Sequence, residues 1–120
     1  MQFRLHYDFQ ITTDIFQLRF ERGNEPHATI KRTTESATIY MPRGFLFEGP
    51  ASMVWANKVM ATAMRNNAQV ILTKRLRTIA DAHQIAFNRL TIKDVSTRWG
   101  SCSSLRNVNL SLWLLLLPFD

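Results

Sequence analysis

The sequence predicts an α+β fold: an N-terminal antiparallel β-sheet, two helices, and a C-terminal β-hairpin. Three observations carry this expectation. Phe3, Leu5, Tyr7 and Phe9 alternate with Arg4, His6, Asp8 and Gln10, the period-two signature of a half-buried strand. Between residues 52 and 84 apolar side chains recur at helical spacing. Past Phe87, Asn88 and Arg89 the β pattern returns, in residues 90–95 and again in 107–112.

Element by element, Ile15, Phe16, Leu18 and Phe20 predict a second strand, followed by the turn signal Gly23-Asn24-Glu25-Pro26. Residues 28–31 and 37–41 predict two more, joined by the polar Thr33-Thr34-Glu35-Ser36, and Pro42 closes the last because proline cannot donate to a ladder. Helix follows Gly49-Pro50, with Ser52 placed to cap it and Met53, Ala56, Met60, Ala63 and Met64 forming the apolar stripe. Asn66-Asn67 interrupts that stripe, and Leu72, Leu76, Ile79, Ala80 and His83 resume it. The pattern reads as two helices, with one long kinked helix as the alternative. In the final strand Val108, Leu110 and Leu112 share a face.

A chain of 120 residues with 46% hydrophobic and 20% charged residues can bury a core and is not disordered by composition. It reads as part of a single domain, β-rich over residues 1–49, a helix pair over 50–89, and a hairpin plus an apolar segment over 90–120. The formal charge of +6 favours acidic partners only as a field effect. Along the chain the basic residues are scattered apart from Lys74, Arg75 and Arg77, so the expectation is a solvated basic surface, with a nucleic-acid-binding module as the rival. Cys102 is the only cysteine, which excludes an intrachain disulfide and fits a reducing cytoplasm. Residues 1–10 lack a signal-peptide core, and the apolar run 112–117 is too short to span a bilayer, so no membrane partner is expected.

For chemistry, the histidines are His6, His27 and His83; none is followed by glutamate and no two are four residues apart, so the H-E-x-x-H zinc pattern is absent. Cys102 as a nucleophile needs a histidine base, for which only His83 is a candidate; the other reading is a structural thiol. Ser101, Ser103 and Ser104 have no G-x-S-x-G elbow, and four glycines are too few for a phosphate-cradling loop.

What remains specific is Arg98-Trp99-Gly100-Ser101-Cys102-Ser103-Ser104, followed by Val108-Asn109-Leu110-Ser111-Leu112 and by Leu114-Leu115-Leu116-Leu117-Pro118. In these residues the chain resembles the YgjP-like metallopeptidase family, relatives of the SprT-like and minigluzincin zinc peptidases. The resemblance implies zinc-dependent hydrolysis of peptide or protein substrates, with an H-E-x-x-H helix following the residues that match Leu117-Pro118. The chain reaches Asp120 without that helix. The expectation is therefore a front portion of the domain, truncated before its metal-binding helix, inactive alone, with no zinc ligand and no catalytic residue of its own.

Arg98, Trp99, Gly100, Ser101, Cys102, Asn107 and Asn109 are the candidate substrate-cleft or family-motif residues. The strand beginning at Asn107 is expected to be the sheet edge that pairs with an extended substrate, or the neighbour supporting that edge. The bland alternative makes Trp99 a core plug, has Gly100 supply a tight backbone turn and Ser101 and Ser103 satisfy backbone groups, and leaves Asn107 as a turn residue. Residues 112–117 are too apolar for a solvated tail, so self-association through this segment or an open sheet edge is also expected.

Overall fold

A computed structural model describes residues 3–94 and 100–116. The chain forms β1 (Gln10–Thr12), β2 (Gln17–Arg22), β3 (Thr29–Arg32), β4 (Ser36–Met41), a single helix α1 (Gly49–Ala82), β5 (Arg89–Lys93), β6 (Gly100–Cys102), β7 (Asn107–Ser111) and a 3-10 turn at Leu112–Leu116. The strands make two sheets, one in the order β1-β2-β4-β3 and a smaller one in the order β5-β7-β6. The α+β class holds, and several details of the expectation are corrected.

The first sheet is mixed. β1 pairs antiparallel with β2, and β3 antiparallel with β4, but β4 enters between β2 and β3 and runs parallel to β2. Its composition explains the central position: Ala37, Ile39 and Met41 on its inner face are at most 1% exposed, whereas β3 offers only Ile30 to the core. The alternation over residues 3–9 correctly places Leu5 inside, but this stretch is not a strand. Its backbone bonds to helix side chains instead of a ladder: Asn57 Oδ1 accepts from Phe3 N at 2.8 Å, and Leu5 N lies 3.2 Å from Met53 Sδ.

The helix pair is one helix of 34 residues. At 1.5 Å per residue it is about 51 Å long, which matches the longest dimension of the molecule, 51 Å. It begins at Gly49 with Glu48 as N-cap and proline in the first turn, so Ser52 lies inside the helix rather than capping it. Asn67 does not break it. Asn67 is buried, and its Nδ2 donates to Thr33 O at 3.0 Å, tying the β3–β4 loop to the helix. The helix ends where Gln84 takes a φ of 55°; Gln84 N donates to Asp81 O and Ile85 N to Ala80 O, the paired bonds of a Schellman motif. His83, expected on the buried stripe, is instead the exposed C-cap residue.

The second sheet also differs from the expectation. β5 and β7, expected as the two arms of a hairpin, pair in parallel, and the hairpin is β6–β7. A strand recovered from the Gly100 motif, read as loop, makes this possible.

One core unites the layers. Phe16, Leu18 and Phe20 of the β2 region, the inner residues of β4, Ala56, Met60, Ala63, Met64, Ala68 and Leu72 of α1, and Leu112, Trp113 and Leu115 of the 3-10 turn pack together. Alanines on the helix's inner face bring its backbone close to the sheet, and the larger side chains supply the apolar area, each worth about 1.5–3 kcal/mol when fully buried. The exposure expected of the C-terminal apolar segment is not found for Leu112, Trp113 and Leu115, which are 0%, 1% and 0% exposed. Trp113 Nε1 also donates to Asp94 Oδ1 at 2.7 Å, so the indole's polar end has a partner. Among the described residues no helix is long and apolar enough to cross a membrane.

Candidate functional site

Of the candidate residues, Arg98 and Trp99 lie outside the described residues, and the other five fall on the β6–β7 hairpin. Registry sorts them onto two faces. Gly100 is opposite Leu110 and Ile92, and Cys102 is opposite Val108 and Leu90. Because side chains alternate along a strand, this row forms the apolar face; Ile92, Leu90 and Leu110 join the core from it. Ser101 is opposite Asn109 and Thr91, and these three form a polar row on the reverse face, with Asn107 and Arg89 on one side and Ser111 and Lys93 on the other. Asn109 Nδ2 reaches Ser101 Oγ at 3.4 Å across it. Thr91, Arg89 and Lys93 belong to this face, yet nothing in the linear sequence signalled them, since only the parallel β5–β7 pairing brings them there.

Gly100 lies in a close approach between β6 and β7. A Cβ built on it would stand 2.9 Å from Leu110 Cδ2 and 3.0 Å from Asn109 O, inside normal contact distance. The missing side chain therefore lets β6 lie flat against β7.

The hairpin turn is built from the serines. Ser103 O accepts from Arg106 N at 2.9 Å, Ser103 N donates to Asn107 O at 3.0 Å, and Asn107 N donates to Ser103 Oγ at 3.2 Å. Arg106 holds a left-handed φ of 61°. This is a three-residue hairpin loop, a β-turn followed by one left-handed residue, at a position that favours glycine. Asn88 clasps the turn from outside: its backbone N donates to Arg106 O at 2.8 Å and its Nδ2 to Leu105 O.

β7, the expected substrate edge or its support, is the central strand, flanked by β5 and β6. β6 is paired on one side by β7, and among the described residues its other edge carries no strand. Gly100, Ser101 and Cys102 are all exposed.

Metal and nucleophile readings are tested by placement. His6, His27 and His83 are each exposed and belong to separate parts of the chain. His6 stacks on Phe47 and pairs with Asp8 at 3.4 Å on the open surface. Among the described residues, no group of three or more His, Cys, Asp or Glu side chains is placed to hold a metal ion. Cys102 is an exposed free thiol whose Sγ contacts Ser103 O at 3.5 Å, with no histidine bonded to it among the described residues.

Comparison with known proteins agrees with the motif. No curated protein and no solved structure matches the chain significantly. Residues 14–120, nearly the whole sequence and the whole hairpin, match the family described as YgjP-like, metallopeptidase domain. The chain with this edge-exposed hairpin belongs to the YgjP-like metallopeptidase-domain family.

Proposed function

We propose that this chain is the substrate-positioning portion of a zinc-dependent metallopeptidase, with the free edge of β6 as the strand along which an extended peptide is held. The observation supporting this reading is the arrangement of the hairpin. β7 has both edges occupied, so it can only support, while β6 has one paired and one open edge among the described residues. An open edge presents backbone N–H and C=O groups at the spacing of an extended peptide, which gives affinity through main-chain bonds and leaves alternate side chains free for selection. Gly100 keeps β6 seated on β7, and the Ser103–Asn107 turn and Asn88 keep the hairpin rigid.

Zinc is implied by the family, but the described residues do not fit it, since no ligand cluster forms among them. No step of hydrolysis is assigned to these side chains. The proposal is that this chain alone holds peptide without cleaving it.

The test pairs calorimetric titration of the chain with an extended, apolar-rich peptide against metal analysis and a cleavage assay. Binding that survives chelation and is lost when the peptide's main-chain amides are N-methylated is the expected result. Stoichiometric tight zinc together with cleavage by this chain would sink the division of labour proposed.

A further inference from the structure

We propose that the solvent face of α1 is a nucleic-acid-binding surface that engages the phosphate backbone without regard to sequence. This goes beyond the peptidase reading and does not depend on it.

The basic residues look dispersed along the sequence, but the continuous helix gathers them. α1 contains Lys58, Arg65, Lys74, Arg75 and Arg77 against one carboxylate, Asp81, a net of +4 in a chain whose total is +6. Residues three and four apart are neighbours on a helix surface. Lys58, Thr62, Arg65, Gln69, Thr73 and Arg77 therefore form one row, with Asn66, Val70, Lys74 and Thr78 in the row beside it. Except for half-buried Thr73 all of these are exposed.

The ion pairs found among the described residues, His6 with Asp8 and Arg19 with Glu21, do not involve the four cations of these two rows, Lys58, Arg65, Lys74 and Arg77. Arg77 lies 5.6 Å from the Phe87 ring, which supports the guanidinium without neutralising it. From Lys58 to Arg77 the row extends about 28 Å, over which a DNA duplex presents about 17 phosphates. Threonine, asparagine and glutamine side chains between the cations supply hydrogen-bond groups of the kind that contact phosphates.

The same face is unsuited to a membrane. An interfacial helix needs a continuous apolar side to insert, and here that side is buried against the core. The exposed large apolar residues of α1 do not form such a strip: Val54 and Trp55 stand at its first turns, Val70 about 22 Å farther along the axis and Ile79 about 14 Å beyond that. Nucleic acid is the polyanion that the charge and the lack of an apolar strip favour together.

The test is fluorescence anisotropy of the full chain with a labelled duplex of about 20 base pairs, over a range of salt concentrations. With four cations engaged, log K is expected to fall with log salt at a slope of about −3.5. Reversing Lys58→Glu with Arg65→Glu, or Lys74→Glu with Arg77→Glu, is expected to weaken binding at least about tenfold, and the neutral pair Lys58→Gln with Arg65→Gln to make the slope shallower by about 1.8. Arg89→Glu with Lys93→Glu, on the small sheet, serves as the control and should change binding little. Circular dichroism confirms that each variant is folded. No binding at low salt, a salt-independent affinity, equal loss in the control pair, or tighter capture by anionic vesicles than by the duplex would each overturn the proposal.

Discussion

The side-chain amide of Asn57 grips the backbone of Phe3 at both of its polar groups: Oδ1 accepts from Phe3 N at 2.8 Å, and Nδ2 donates to Phe3 O at 3.0 Å. A neighbouring strand would do the same, and here one helix residue stands in for it. Asn57 is 3% exposed, so its own polar atoms depend on these bonds and on a further one from Nδ2 to Met53 O at 2.9 Å. Asn57→Leu should destabilise the chain by about 1–3 kcal/mol, because it strands polar backbone groups at a buried site. Asn57→Asp should cost more, since a carboxylate would face two carbonyl oxygens. Urea unfolding read as a shift in midpoint at constant slope measures both.

Asn67 occupies an equivalent post farther along α1, holding Thr33 O from Nδ2 while its buried Oδ1 meets no hydrogen-bond partner among the described residues. Asn67→Ala removes a useful donor and an unsatisfied acceptor together, so its cost is expected near 1 kcal/mol, below that of Asn57→Leu. If the two variants shift the midpoint in the reverse order, the account of their hydrogen bonding is wrong.

Gly100→Ala forces a methyl to within 3.0 Å of the β7 backbone and against Leu110. Overpacking of this kind costs about 1–3 kcal/mol, and the displacement should lift β6 from β7. Amide hydrogen exchange in residues 100–111 is expected to accelerate, and peptide affinity to drop, while exchange in β2 and β4 stays as it was.

Arg106→Gly should act in the other direction. A left-handed φ of 61° costs an ordinary residue about 1 kcal/mol relative to glycine. Against that stands the loss of a long contact from Arg106 Nη1 to Ala86 O at 3.5 Å and the greater unfolded-state freedom of glycine. The net expectation is a stabilisation of a few tenths of a kcal/mol, visible as a small rise in Tm.

Trp113→Ala opens a large cavity where α1 meets the 3-10 turn, with an expected loss of about 3–5 kcal/mol. Trp113→Phe keeps much of the volume but leaves Asp94 without its indole donor. Thermal melts of the two, together with Asp94→Ala, separate packing from the hydrogen bond, and packing should account for most of the loss.

How much of this was legible follows from which interactions are local. Five of the predicted strands fall close to observed ones because alternation fixes which residues face inward, as for Leu18, Phe20, Ile39 and Met41. Partner and direction are another matter. No residue in β4 announces that it enters between β2 and β3, and no residue in β5 announces a parallel match to β7, since both depend on the summed burial of whole strands. Asn66-Asn67 leaves the helix unbroken for a related reason. Asparagine weakens a helix when its amide competes with its own backbone, but Asn67 directs that amide to carbonyls of a loop 34 residues away in sequence. The motif around Gly100 marked the hairpin as special, and its grouping of Ser101 with Asn109 and Thr91 became visible only through strand register.

The unbroken run of α1 beneath both sheets has one more consequence. Each added or deleted residue in an α-helix turns everything beyond it by about 100°. A single insertion near Gln69 would thus swing the small sheet a quarter-turn or more away from its place, whereas a seven-residue insertion would restore its bearing to within about 20°. Natural relatives should accordingly differ in the length of this helix by near-integral numbers of turns, so that its pitch acts as a ruler for permissible insertions.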